Sequence, residues 1–314
     1  MVKIDDRLTV RHRLEDGSAT DVLGWLHRID ESKITILTGV EADGPRYQHI
    51  DRARVILAKR VPPAKGSRPL SRVTADELEQ AALPAWIADS EPLGNWTLRS
   101  GRGFTGRANS CLAVGDPGLP YADAAQTMID YYTRRELPTM AQVIIGSEPD
   151  RRLRELGWQD SYLNTTVMVQ PLTGLIDDRP RNPTVTIRAE LTEDWWQAYQ
   201  QYRPITDHEI ARQILTGVPP VGLAAITVDD RAVAVGRGQI SGEWLGIAAL
   251  WTDPGHRRRG MATMIMRELG HWAARRGARA SYLQVTQQNR AAVDAYAKLG
   301  FTRHHDYCYL SPAG

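Results

Sequence analysis

The chain alternates apolar and polar positions with two different periods, and the changes of period divide it. From Arg7 to Lys59 the period is close to two. Arg7–Leu14, Val22–Ile29, Lys33–Thr38 and Arg54–Lys59 read as short strands with one buried face. Glu15-Asp16-Gly17-Ser18, Asp30-Glu31-Ser32 and Asp43-Gly44-Pro45 separate them with turn-forming residues. Strands this short and evenly spaced predict a small all-β barrel over residues 1–62. Pro62-Pro63-Ala64-Lys65-Gly66-Ser67-Arg68-Pro69 then reads as a linker.

Beyond the linker the period lengthens. Thr74-Ala75-Asp76-Glu77 is a capping box, in which the Thr hydroxyl and the Glu carboxylate satisfy free amides of a helix start. Helical and strand-like stretches alternate from there to about Val169, which predicts an α/β domain over 72–170. A second break, Asp177-Asp178-Arg179-Pro180-Arg181-Asn182-Pro183, precedes a third domain, 184–314. There Val185–Leu191 reads as a strand and Thr192 as the cap of a helix through Trp195, Trp196 and Tyr199. Thr206-Asp207-His208-Glu209 opens a second helix as another capping box. Gly222–Val228, Ala232–Gln239 and Trp244–Thr252 follow as strands. A helix, the strand Ser281–Val285, the helix Arg290–Leu299 and closing strands complete a mixed α/β order.

Composition narrows the class. Of 314 residues 42% are apolar and 24% charged, as in a globular chain with real cores. A net charge of +2 demands no acidic partner. The basic residues lack the interleaved aromatics that stack bases, which argues against nucleic acid. Cys111 and Cys308 stand far apart without metal-ligand spacing, so neither a disulfide framework nor a metal site is expected, and His304-His305 read as strand-end residues. Charges at Met1–Asp6 lead into no apolar run, and no stretch approaches the roughly 20 apolar residues of a membrane helix. These features favour a reducing cytoplasm.

The chemistry concentrates after Trp244–Thr252. Asp253-Pro254 ends the strand, and His256-Arg257-Arg258-Arg259-Gly260 leads into a helix with Met261, Ile265, Leu269 and Trp272 on one face. Free amides at a helix start, with no side chain at Gly260 and arginine forks alongside, make a cradle for a diphosphate. An isolated Arg-Arg-Arg-Gly is more often a solvated basic turn. A second stretch, Leu283-Gln284-Val285-Thr286 through Asn289 and Tyr296 to Gly300-Phe301, follows it in order. Asn289 is a good N-cap, and Tyr296 suits packing on a core. Gly101-Arg102-Gly103-Phe104-Thr105-Gly106 spells a dinucleotide fingerprint, but Arg107–Val114 reads as a strand rather than the required helix, so it reads as a hairpin turn.

Together the two stretches resemble the GNAT N-acetyltransferase superfamily. Arg257, Gly260 and Ala262 match its Arg/Gln-x-x-Gly-x-Gly/Ala loop, and Leu283 to Phe301 its strand–Asn–helix–Tyr–x-x-x-Gly-Phe segment. The resemblance covers Thr184–Pro312 and implies acetyl-coenzyme A as cosubstrate and a primary amine as acceptor. It implies coenzyme contacts at Leu250, Trp251, Thr252, Arg257, Arg258, Arg259, Gly260, Met261, Ala262 and Asn289. In it Tyr296 protonates the leaving thiolate, and the amide of Leu250 takes the oxyanion. The strand before the loop is expected to splay from Ser281–Val285. The family's strand Glu falls near Gly246, which cannot act, so Glu243 is left as a base working through water. A non-catalytic acyl-coenzyme A sensor is the competing reading. Residues 72–170 resemble a second GNAT-like half without a coenzyme site, with Pro120, Asp123 and Leu153 where Arg257, Gly260 and Tyr296 stand. The whole order resembles actinobacterial tandem-GNAT proteins that carry an SH3-like barrel in front.

Overall fold

The computed structural model describes residues 6–41, 44–61, 70–176 and 184–313, so both linkers lie outside the described residues. Alternating apolar positions produce five strands first: β1 (Arg7–Arg13), β2 (Ala19–Ile29), β3 (Lys33–Glu41), β4 (Gly44–Asp51) and β5 (Val55–Arg60). They form an antiparallel sheet in the order β4-β3-β2-β1-β5, and Leu8, Val10, Val22, Leu26, Ile34, Ile36 and Ile50 make its core. β4 is absent from the sequence reading. It is an edge strand in which Arg46, Gln48 and His49 are exposed, so it shows no run of apolar residues.

Next come α1 (Ala75–Ala82), β6 (Asp89–Leu93), β7 (Trp96–Ser100), β8 (Cys111–Leu112), α2 (Tyr121–Thr133) and β9 (Ala141–Ile144). They lead to α3 (Glu148–Glu155), β10 (Gln159–Asp160), β11 (Thr165–Pro171) and α4 (Leu172–Leu175). The expected capping box is present: Thr74 Oγ1 accepts from the Glu77 amide at 3.2 Å, and Glu77 Oε2 accepts from the Thr74 amide at 2.8 Å. The last third adds β12 (Val185–Arg188), α5 (Glu193–Tyr202), α6 (His208–Thr216), β13 (Val221–Val228), β14 (Arg231–Ser241) and β15 (Trp244–Thr252). It closes with α7 (Met261–Ala274), β16 (Ala280–Thr286), α8 (Arg290–Lys298) and β17 (Thr302–Ser311). The cap of α6 is Asp207 rather than Thr206, its Oδ1 accepting from the Ile210 amide at 3.1 Å.

One mixed sheet runs through both α/β thirds in the order β12-β13-β14-β15-β16-β11-β17-β9-β8-β7-β6, with β10 beside β17. The pairs β15–β16 and β8–β9 are parallel and the rest antiparallel. β11 lies between β16 and β17, although it precedes them by a long stretch of chain; β17 in turn lies against β9. Each third thus lends a strand to the other. α7 closes one face of the sheet, and α5 and α6 pack on the other with Trp86, Phe104 and Ala108. Gly236 and Gly238 of β14 let α7 settle, since a Cβ there would press Ile265 and Leu269 at 2.7 and 2.9 Å.

A buried polar chain joins α1 to β17. Glu79 Oε1 meets His305 Nε2 at 3.0 Å, and Glu79 Oε2 accepts from Gln142 Nε2 at 2.7 Å. His305 Nδ1 meets His304 Nδ1 at 2.8 Å, while His304 Nε2 donates to the Val73 carbonyl at 3.0 Å. One proton fits between the two Nδ1 atoms. Burial and the neighbouring His305 charge hold His304 below its ordinary 6.5. Below that pH the unfolded chain takes up a proton the folded ring refuses, so stability is present above 6.5 and lost as the pH falls. The melting temperature therefore declines on acidification from pH 6.5, and His304→Asn flattens that decline in a thermal-melt series.

Candidate active site

β15 and β16 pair only from Trp244 opposite Ala280 to Ile247 opposite Leu283. Beyond Ile247 the strands part. On its other side β16 stays paired with β11 along its whole length, from Thr286 opposite Thr165 to Ala280 opposite Pro171. β15 meanwhile breaks register with β14 between Val235 and Arg237, and Ala249 there sits at φ 55°. That is a bulge, in a backbone region costing a non-glycine residue about 1–2 kcal/mol. It turns Ala248–Thr252 away and leaves their edge toward β16 without a strand partner.

At the open end of this notch the chain braces its own loop. Asp253 Oδ1 accepts from the Gly255 amide at 2.9 Å and meets His256 Nδ1 at 3.3 Å; these contacts, His256 first, hold the carboxyl below its usual range. Arg257 Nε donates to the Thr252 carbonyl at 3.1 Å, and an Arg259 Nη to the Gly255 carbonyl at 3.2 Å. Gly260 then adopts φ 77° as the N-cap of α7 and supplies no capping side chain. The first amides of α7 consequently open into a pocket of about 360 Å³ lined by Thr252, His256, Arg257, Arg258 and Gly260–Thr263. Uncapped amides, the positive end of a helix and two exposed guanidiniums suit an anion.

The family described as probable histone acetyltransferase Rv0428c C-terminal matches residues 74–310. The chain belongs to this family of GNAT acetyltransferases. An uncharacterized N-acetyltransferase, YobR, of Bacillus subtilis is 26% identical over 240 residues, covering 73% of this chain and 95% of that one. Streptothricin acetyltransferase of Streptomyces lavendulae is 38% identical over 69 residues, 22% of this chain and 34% of that relative. In fold, a GCN5-related N-acetyltransferase from Kribbella flavida superposes with a TM-score of 0.56 at 17% identity, over 76% of this chain and 96% of that one.

Within this GNAT acetyltransferase the residues singled out from sequence, Glu243 apart, fall into three places. Thr252, Arg257, Arg258, Gly260, Met261 and Ala262 line the pocket; Arg259 sits in the same loop, bonded to the Gly255 carbonyl. Leu250 and Trp251 lie on the parted stretch of β15, one packed toward α7 and the other toward α5 and α6. Asn289 caps α8, its Oδ1 accepting from the Ala292 amide at 3.2 Å. Tyr296 packs edge-on to Phe301, ring centroids 6.2 Å apart, against the same core as Leu250. Burial, with the Tyr202 hydroxyl a smaller influence, pushes its phenol up to about 12.

Glu243 is not brought to the notch. It turns the β14–β15 hairpin at the closed end, seven residues before Leu250, about 23 Å along a strand. Its carbonyl accepts from the Arg279 and Ala280 amides. A Cβ at Gly246 would collide with the Tyr282 hydroxyl, so a tyrosine from the next strand fills the space where a carboxylate was sought. The pairing of Gly246 with Tyr282 across sheet register leaves no trace in local sequence. In the Gly101–Gly106 loop two amides are taken by the protein itself: Asn109 Oδ1 accepts from Gly101 and Gly103 at 3.0 and 2.9 Å. Arg107–Asn109 form a 3-10 turn there, so the expected strand shrinks to β8.

Gly260 is required for its backbone, not for space, because a Cβ there meets nothing within 4 Å. Gly260→Ala accordingly costs about 1–2 kcal/mol in urea unfolding without a steric clash.

Proposed function

We propose that the chain transfers the acetyl group of acetyl-coenzyme A to a primary amine by direct attack within the notch of β15 and β16. The acceptor is a small molecule, a peptide N-terminus or a protein lysine. One observation carries this reading: the uncapped amides behind Gly260 open into a pocket flanked by Arg257 and Arg258. The residues fit a diphosphate there, with Asn289 Nδ2, unbonded among the described residues, and the open edge of β15 as the groups proposed to flank the carrier's arm.

Acetyl-coenzyme A supplies an activated acyl carbon. The amine nitrogen forms the new C–N bond while charge gathers on the carbonyl oxygen, for which the amide of Leu250 is the proposed donor. The C–S bond breaks and Tyr296 Oη gives its proton to the sulfur. A phenol raised to about 12 keeps that proton at neutral pH. The proton released by the nitrogen passes to water and restores the phenol. From Trp244 to Thr252 the strand has no titratable side chain, and Glu243 lies too far off to serve.

A finer architecture supports the same reading. We infer a small SH3-like barrel (1–62), a GNAT-like half without a coenzyme site (72–170) and a coenzyme-binding half (184–314). Both halves have one parallel strand pair joined through a helix, β8–α2–β9 and β15–α7–β16. Pro120 is the N-cap of α2 as Gly260 is of α7, so on a helix-start register Pro120 rather than Asp123 corresponds to Gly260. Asp123 falls in the first turn, where its carboxylate repels a diphosphate, and Leu153 is buried on α3. A non-catalytic acyl-coenzyme A sensor is the second reading, favoured by the carboxylate-free β15.

Calorimetric titration with acetyl-coenzyme A is expected to show saturable binding; its absence ends both readings. Tyr296→Phe lowers thiol release on a responsive amine by about 10²-fold while coenzyme affinity stays within about twofold. Thiol release at background across a broad amine panel leaves the sensor. For the enzyme, kcat/KM rises with pH as the free-base fraction of the acceptor grows, without a carboxylate-like break.

A further inference from the structure

The interior shared by the two α/β thirds holds more positive charge than its carboxylates answer. Arg99 is 2% exposed and spends its donors on the Ser110 carbonyl, Ser110 Oγ and Gln142 Oε1. Arg237 is 1% exposed and donates to the Leu215 and Ile214 carbonyls at the end of α6. Arg107 donates through Nε to Tyr307 Oη at 2.8 Å. Among the described residues none of the three makes an ion pair. The buried carboxylate near them, Glu79, is occupied by Gln142 and the His305 ring.

Arg107 and Arg237 converge on one indole, their guanidinium carbons 4.9 and 5.5 Å from the Trp86 ring. Aromatic faces ease the burial of a cation but supply no counter-charge. Beside them Tyr282 Oη is fully buried with no hydrogen-bond partner. That hydroxyl stands over Gly246, one rung before the strands part, and Arg237 pairs in register with Ala248 at the first parted residue. Tyr282 feels the charge of both arginines, and burial keeps its phenol protonated, so it can donate. The Nη groups of Arg107 bond to no described residue. The orphan donor and the guanidinium fork thus share their neighbours: Tyr307 bonds Arg107 and packs in one cluster with Tyr282, and Arg237 meets the same indole as Arg107.

We propose that the acceptor amine carries a carboxylate, which Arg107 and the Tyr282 hydroxyl bind while the amine reaches the notch beside Leu250. The inference rests on the acetyl-transfer reading for the position of the amine. Arg107 belongs to the first α/β third and Tyr282 to the last, so the half without a coenzyme site supplies acceptor recognition. A polycationic acceptor meets like charge at the same wall.

The test is calorimetry on the full chain saturated with coenzyme A, titrated with linear ω-amino acids of three to six carbons and with their carboxamides. The acids are expected to bind about tenfold or more tightly than the amides, since a hydrogen-bonded charge pair is lost in the amide. Arg107→Gln erases that preference, and Tyr282→Phe narrows it by several-fold. A melting curve and a coenzyme A titration check the fold of each variant. Should Arg107→Gln fail to fold, Arg107→Lys, which keeps the charge and loses the fork, is expected to bind the acids more weakly than wild type. Equal binding of acids and amides, binding of neither, or a preference that survives Arg107→Gln overturns the proposal. Acid-selective binding without thiol release leaves this site and sinks acetyl transfer; thiol release without acid selectivity does the reverse.

Discussion

The arrangement of this protein depends on where two parallel strands stop pairing. Backbone amides and carbonyls inside a sheet need partners, and a strand edge left open inside a fold is costly unless water or a ligand meets it. β15 and β16 hold together through Ile247 and Leu283 and then separate. β16 cannot follow β15, because its other edge is committed to β11 over its full length. β15 cannot follow β16, because the bulge at Ala249 turns it aside. The open edge is therefore built by two competing commitments, one on each side.

The same parting fixes the helix that follows. α7 is seated on Gly236 and Gly238, so its first turn is carried to the open end of the notch. The loop that reaches it is braced from within by Asp253, Arg257 and Arg259, each bonded to backbone or, for Asp253, also to His256. A loop ordered by its own contacts spends little entropy on binding. The arginines lock the turn with one donor each and keep the remainder of their forks available.

Exchange of β11 and β17 makes the two α/β thirds a single hydrogen-bonded unit. Their common interior is then forced to accommodate polar groups: the Glu79–His305–His304 chain, Arg99 among Ser110 and Gln142, and the arginines around Trp86. Of these, Arg237 lies at the notch itself, paired in register with Ala248 at the first parted residue of β15. Residues from the first α/β third, Trp86 and Arg107 foremost, thereby pack against Arg237 and the helices of the last.

Local sequence determined what short-range physics governs. The period of apolar positions marked the strands and helices of the last third. The box at Thr74–Glu77 and the cap at Thr192 marked helix starts, and the Arg257–Gly260 turn marked the start of α7, because caps and turns are decided within a few residues. Tertiary structure decided the rest. Polar β4 is a strand only because β3 offers it an edge; Asp207 rather than Thr206 caps α6 because of how the chain enters the helix. Tyr282 over Gly246, Glu243 at the closed end of β15, and β11 between β16 and β17 all follow from sheet register. Register pairs residues far apart in the chain, and no run of neighbouring letters encodes it.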